Sequence, residues 1–288
     1  MQIVQHVTEG GAITNEVYNA AHVFSRMNRK MMAPVDSQGN AQAFALNVKV
    51  ISAAANTVTL KTASNSYVTK QAVKAWFRVW KKSLSDSGYS LKDLGPYGRV
   101  FKPRLEASET LFGGPSSHTG EWNYTDIITN APSNQSTDQV ESIDLVDSYT
   151  LSLCGDTTAE SGGSETVKFT NVGMIDSWLG SRKKYAGADN TDSSEVQEDL
   201  VFDADNPLLL ARGREVAGTM LLNEIRDTQK DEPPYVDAEY TSLFTQDVVQ
   251  TDANQTGISD IVAPLGLVKV TTTAACTLIF TLVGIGDM

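Results

Sequence analysis

The feature that most limits the possible folds is a series of short alternating segments separated by turn-forming residues. Apolar and polar side chains alternate in residues 44–62, 143–154, 165–172 and 276–285, and Gly, Asn, Ser and Pro separate many of these segments. Such alternation is typical of strands with one buried face. Helical segments do not alternate regularly with the strands, which argues against a doubly wound α/β sheet. The pattern predicts a mainly β sandwich or jelly roll with a few inserted helices.

Further strands are predicted at residues 100–105, 122–128, 236–250 and 265–273. Residues 44–62 are predicted to form a hairpin, because a short Ala-Ala-Ala-Asn connection at residues 53–56 separates its two alternating halves.

Three helices are predicted. Residues 13–32 place apolar side chains at spacings of three and four behind a candidate cap at Thr14 or Asn15, and Pro34 ends the segment. Residues 66–85 form the strongest helical pattern, with Ser66 as a candidate cap. A third helix is predicted within residues 206–228, with Pro207 at its first position.

Several classes of protein are excluded by what the chain contains. Its 288 residues can bury a core, but they include two cysteines and three histidines, too few for a disulfide scaffold or a Cys-rich zinc module. No apolar run is long enough to span a membrane, and the first residues do not resemble a signal peptide. The common hydrolase, nucleotide-binding and dinucleotide-binding motifs are missing. We therefore expect a protein that is not an enzyme and has no cofactor.

Charge is distributed unevenly along the chain. Residues 1–110 carry 14 of the 23 basic residues but only 7 of the 35 acidic ones, while the whole chain has a net charge of −12. Such asymmetry is typical of a protein with two surfaces that meet different environments. Uneven loop composition without any partner is the alternative.

The two predicted N-terminal helices carry the basic residues that would form such a surface. Their cations are expected to meet lipid head groups or nucleic-acid phosphates, or simply to face water. Three methionines of the first helix, Met27, Met31 and Met32, are expected either to touch lipid or to fill gaps in the core. The aromatic residues Trp76, Phe77 and Trp80 are expected to lie in the core. The candidate membrane- or genome-facing residues are Arg26, Arg29, Lys30, Lys70, Lys74, Arg78, Lys81 and Lys82.

The acidic residues allow two weaker interpretations. Glu106 with Glu109, or Asp203 with Asp205, could serve as a hydrolytic carboxylate pair, although such pairs are expected by chance in so acidic a chain. A loop at residues 185–199 offers oxygen ligands for Ca²⁺ without the spacing of a calcium-binding loop, so a solvated acidic loop is the competing interpretation. Its acids are Asp189, Asp192, Glu195, Glu198 and Asp199.

Several segments taken together resemble the major capsid proteins of tailless icosahedral marine bacteriophages of the double jelly-roll lineage, the corticovirus-like and finnlakevirus-like phages. The resemblance rests on the basic-aromatic helix KQAVKAWFRVWKKSLSDSGYSLKDLGPYGRVFKP, the strands GEWNYTDI and VDSYTLSLCGD, the segment VGMIDSWLGSRKKY and the turn DEPPY. It spans most of residues 65–285.

This resemblance implies two upright jelly rolls in each chain, which we place at residues 1–140, with the N-terminal helix, and at residues 141–288. It implies a homotrimer that acts as a pseudo-hexameric capsomer of an icosahedral virion, assembled in the host cytoplasm. The implied partners are neighbouring trimers, penton and minor capsid proteins, and an internal lipid membrane or the genome. Calcium at acidic sites between subunits is a further expectation. A phage spike or carbohydrate-binding β module is the first alternative function, and a hydrolase on a β scaffold is the second.

Overall fold

Strands from both ends of the chain build one β-sandwich. In the computed structural model, the described residues are 3–14, 16–86, 90–95, 98–106, 110–111, 124–129, 147–155, 158–160, 168–181 and 244–288. The strands are β1 Ile3–Glu9, β2 Glu16–Asn19, β3 Gln42–Ile51, β4 Asn56–Ala63, β5 Thr110–Leu111, β6 Asp126–Thr129, β7 Asp147–Ser152, β8 Thr158–Glu160, β9 Lys168–Gly173, β10 Phe244–Thr251, β11 Thr256–Pro264, β12 Leu267–Thr272 and β13 Cys276–Asp287. The helices are α1 Ala20–Asn28, α2 Tyr67–Asp86 and α3 Met174–Ser181. The predicted mainly β architecture is thus confirmed.

The order of the strands identifies the kind of sandwich. The first sheet has the order β1-β13-β3-β11, and the second has the order β10-β4-β12-β2-β5. All pairs are antiparallel except the short β2–β5 pair. Successive strands from β1 to β4, and again from β10 to β13, alternate between the two sheets. This connectivity of eight strands is that of a jelly roll.

The core between the two sheets follows from the alternation in the sequence. In β3, Phe44, Leu46, Val48 and Val50 are buried, while the residues between them are partly exposed. Across the sandwich, the ring of Tyr18 in β2 stacks on Phe280 in β13, with centroids 3.8 Å apart. Burial of apolar side chains from both sheets stabilises the sandwich.

Two expectations about strand pairing differ from the structure. The two predicted strands of residues 44–62 exist as β3 and β4, but they lie in different sheets, so the hairpin is wrong. The boundary predicted at residue 140 lies within the segment that connects β4 to β10, and the sandwich takes strands from both sides of it. The reason is that strands β10 to β13 find their partners at the start of the chain, not among their neighbours in sequence.

Residues 64–243 are inserted between β4 and β10. Their described part contains α2, α3 and a small sheet of order β6-β7-β9-β8, in which β7 and β9 are parallel. Apolar residues of this insertion share a second core with Val17, Val35 and Leu267 of the sandwich. Residues 100–105, predicted as a strand, form only an isolated bridge between Arg104 and Ser152.

The predicted helix at residues 13–32 is shorter than expected. Residues 16–19 form β2, and the helix begins after Asn19, whose side-chain oxygen accepts a hydrogen bond of 2.9 Å from the amide of His22. The cap prediction at Thr14 or Asn15 is therefore wrong, because pairing with β12 holds residues 16–19 extended. The cap at Ser66 is confirmed, since its hydroxyl accepts from the amide of Thr69 at 3.3 Å. The predicted helix at 206–228 lies outside the described residues.

Candidate functional site

The C-terminal end of α1 presents three cations to solvent. Arg26, Arg29 and Lys30 are all exposed. The helix ends because Arg29 adopts a left-handed conformation with φ 50°, and its amide donates to the carbonyl of Arg26 at 3.4 Å. Cations near the C-terminus of a helix interact favourably with the helix dipole. The local structure therefore gathers positive charge at one exposed helix end.

The left-handed conformation of Arg29 leads to a prediction about stability. Replacing Arg29 by glycine is expected to raise the free energy of unfolding by about 0.5–1 kcal/mol, because a left-handed residue with a Cβ is strained and glycine is the usual residue at this position. Denaturant unfolding measures the change. Lys30→Gly is the control and should not stabilise, since Lys30 lacks this positive φ. Equal effects of the two substitutions would contradict the explanation.

The methionines of this segment divide into two kinds. Met27 lies between the cations and is 48% exposed. Met31 and Met32 are partly buried and pack against the sandwich core, and the amide of Met32 donates to the Ser25 hydroxyl at 2.8 Å. Met27 alone of the three is placed to touch a partner, and the other two fill gaps at the edge of the core.

The basic residues of α2 lie in more than one environment. Arg78, Lys81 and Lys82 are exposed, whereas Lys70 and Lys74 are partly buried. The Lys74 amine donates to the side-chain oxygen of Asn40 at 3.2 Å, and so ties α2 to the loop before β3. The exposed basic surface of α2 is therefore smaller than the five cations in the sequence indicate.

The aromatic face of α2 lies in the second core. Trp76 is fully buried, and Phe77 and Trp80 are 6% and 5% exposed. The indole nitrogen of Trp76 donates to the carbonyl of Met174 at 3.1 Å. The rings of Phe77 and Trp80 both contact Phe101. These side chains hold the helix so that its basic residues face away from the core.

The acidic side chains and cysteines that the structure describes form no recognisable catalytic arrangement. Glu106 pairs with Lys269 at 2.7 Å, while Glu109, Asp203 and Asp205 lie outside the described residues. Cys154 is buried, and burial raises the pKa of its thiol, which is opposite to what a nucleophilic cysteine needs.

Metal ligands were predicted in a part of the chain that the structure does not describe. Within the described ranges, no three His, Cys, Asp or Glu side chains gather as a metal site requires. The acids of the loop at residues 185–199, the candidate calcium ligands, lie outside those ranges.

Comparisons with known proteins add no evidence about the function of this chain. No protein-family model, curated protein or solved structure matches the chain. No described helix is both long and apolar enough to cross a bilayer.

Two cations in residues 98–106, one buried and one partly buried, could not be recognised from the sequence pattern. Lys102 is 4% exposed, and the guanidinium of Arg104 lies 4.6 Å from the centre of the Tyr124 ring. Phe101 and Leu105 alternate with these cations, which suggests an inner and an outer face. Both faces of this segment are covered, however, so alternation could not reveal that Lys102 is buried and that Arg104 is partly buried.

Proposed function

We propose that this chain is a structural shell protein, the major capsid protein of a tailless icosahedral bacteriophage, and that it acts as a homotrimer. The observation that carries the proposal is the jelly-roll connectivity of β1–β4 and β10–β13. Jelly rolls are common in viral capsid proteins. The resemblance described for residues 65–285 supports the same function.

The double jelly roll of that lineage would require a second sandwich from residues 64–243. The described sheet of this insertion has a parallel pair at its centre, β7 with β9, whereas the eight jelly-roll strands of the sandwich pair only antiparallel to one another. We therefore propose a shell unit with one jelly roll and an inserted lobe. Its trimers would then differ from the pseudo-hexamers that two jelly rolls produce.

We further propose that the basic end of α1 faces the inside of the particle. Arg26, Arg29 and Lys30 are exposed at the same helix end as the side chain of Met27, and such a combination suits an anionic lipid surface, into which the methionine can insert. The phosphates of a packaged genome would attract the same cations. The acidic loop at residues 185–199 would face outward or lie between trimers.

The assembly state of the purified protein tests the shell function. Light scattering at high micromolar concentration should give the mass of a trimer or of several trimers joined together, and electron microscopy should show closed particles or hexagonal arrays. A stable monomer under these conditions contradicts the proposal. Discrete trimers that bind glycans and form no arrays would favour the spike or carbohydrate-binding module. Repeating the assembly with Ca²⁺ and with a chelator tests the calcium expectation.

Reversing the charge of α1 tests its inward orientation. The triple variant Arg26→Glu, Arg29→Glu, Lys30→Glu should still form trimers but bind anionic liposomes at least about 100-fold more weakly, because each cation contributes about 1 kcal/mol near an anionic surface. Its remaining binding should also depend less on salt. Sedimentation with phosphatidylglycerol vesicles measures the change.

Single substitutions provide the matched control. Lys30→Glu and Lys92→Glu change the net charge equally, and both residues are exposed, but Lys92 lies outside both basic helices. Only Lys30→Glu should weaken liposome binding appreciably. Unchanged binding by the triple variant contradicts the orientation. Loss of the trimer itself would instead mean that these cations pair with acids of a neighbouring subunit.

A further inference from the structure

The outer face of the first sheet of the sandwich exposes large apolar side chains. On β11, Ile258 and Val262 are 63% and 50% exposed, and Val283 on β13 is 66% exposed. Within the described part of the chain, no helix makes more than slight contact with β3, β11 or β13. Clusters of exposed apolar residues on a soluble protein mark surfaces that bind a partner.

The size of this face suits a protein partner. β3, β11 and β13 lie side by side over about nine residues, which gives a surface of roughly 15 by 30 Å at ordinary strand spacings. The side chains that project from the sheet make its accessible area larger than this flat rectangle, and a stable interface buries about 800 Å² per partner. β11 is also an edge strand, which β3 pairs on one side only.

Two opposite charges lie among these apolar residues. Lys49 on β3 is directly opposite Ile258 of β11 and Ile279 of β13, and it forms no salt bridge with a described residue. Asp260 lies one step further along the same face of β11. One oxygen of its carboxylate accepts from the side-chain amide of Asn47 at 2.7 Å, and the other oxygen has no hydrogen-bond donor among the described residues. The face therefore has one anion and one cation close together, each able to take a partner.

We infer that this face binds the same face of a second copy of this chain, about a two-fold axis. A two-fold contact is self-complementary: it sets Lys49 of one copy against Asp260 of the other and repeats the pair in the opposite sense. The apolar side chains of the two sheets would then pack between the copies, as in stacked sheets. This self-complementary pattern of charge identifies the occupant as a second copy.

The inference goes beyond the proposed shell function and does not depend on it. In a shell, the two-fold contact would join chains of adjacent trimers. In a binding module, it would join two free copies. A pair that forms without particles would leave the inference standing while the shell proposal fails.

Charge reversal tests the contact. Sedimentation velocity of the unmodified chain should show the species that this contact joins, and Lys49→Glu or Asp260→Lys alone should weaken the association at least about tenfold, because each places like charges together twice. In both variants the paired species should give way to the unpaired one, which is a trimer for a shell protein and a single chain for a free binding module. Absence of any paired species at about 100 μM, or variants that associate as the unmodified chain does, would overturn the inference.

A mixture of the two variants distinguishes contacts between chains from effects within one chain. When Lys49→Glu and Asp260→Lys chains are combined, each two-fold contact contains one Glu–Lys pair and one Lys–Asp pair, so the association should return. Failure to recover in the mixture would overturn the assignment of the pair.

Apolar substitutions provide a second, independent test. Ile258→Lys should abolish the association. Val248→Lys is the matched control, because Val248 is 43% exposed but lies on β10 of the other sheet. Far-ultraviolet circular dichroism should show that both variants are folded. An association that survives Ile258→Lys, or that Val248→Lys disrupts equally, would overturn the choice of this face.

Discussion

Replacing Trp76 by alanine is expected to lower the free energy of unfolding by about 3–5 kcal/mol, the usual cost of truncating a buried tryptophan. The side chain is fully buried in the second core and joins α2 to the start of α3 through its hydrogen bond to the Met174 carbonyl. Alanine would leave a cavity and would also remove the donor from this buried carbonyl. Trp80→Ala should have an effect of similar size, since Trp80 packs between Phe77 and Phe101.

Denaturant unfolding followed by circular dichroism measures these effects. Trp76→Phe separates the two contributions, because it keeps most of the ring volume but cannot donate the hydrogen bond, and it should cost less than alanine. Gln71→Ala, at an exposed position of the same helix, should change stability by less than about 0.5 kcal/mol. A loss below about 1 kcal/mol for Trp76→Ala would contradict its place in the core.

Replacing Lys102 by methionine is expected to stabilise the chain more at neutral pH than above pH 10.5, by a difference on the order of 2–3 kcal/mol in the free energy of unfolding. Burial lowers the pKa of Lys102 to about 8, against an ordinary value of 10.5. At neutral pH the amine is therefore charged in both the folded and the unfolded chain, and the folded chain bears the cost of burying this charge. Methionine has a similar length and carries no charge.

The pH dependence gives the sign of this effect. As the pH rises from about 8 to 10.5, folded Lys102 loses its proton before unfolded Lys102 does, so the unmodified chain becomes more stable relative to the variant. The advantage of Lys102→Met should be greatest below pH 8 and should disappear above pH 10.5. Lys92→Met, at an exposed position, is the control and should show no such dependence. A constant difference across this range would contradict the role of the buried amine.

Local patterns in the sequence were sufficient for some elements and not for others. The helix at residues 66–85 was found almost to the residue, because its cap and its aromatic stripe are both local. β11 was missed because Ile258 and Val262 are apolar residues on its exposed face, which hides the alternation. β1 was missed as well, and its partner β13 lies at the other end of the sequence. β2 was mistaken for helix because Val17, Ala20, Ala21 and Phe24 share a helical spacing across a strand and a helix.

The two candidate binding surfaces also differ in whether local sequence patterns could reveal them. The exposed cations of α1 could be identified from their position at the end of an amphipathic helix. The face that carries Lys49 and Asp260 could not, because it depends on the register between β3 and β11, whose paired residues are more than 200 positions apart. Strand register across such a distance is determined by tertiary packing and has no local signature.

The insertion of residues 64–243 also determines when the sandwich can form. Ala63 and Phe244 are paired across β4 and β10, so the two ends of a 180-residue segment must meet before the second sheet is complete. Closing so long a loop is entropically costly and makes folding slow. During synthesis, β1 to β4 leave the ribosome well before β10 to β13, and their apolar faces have no partners in the interval. Self-association through the first sheet is thereby delayed until β11 and β13 have been made, which keeps unfinished chains out of the assembly.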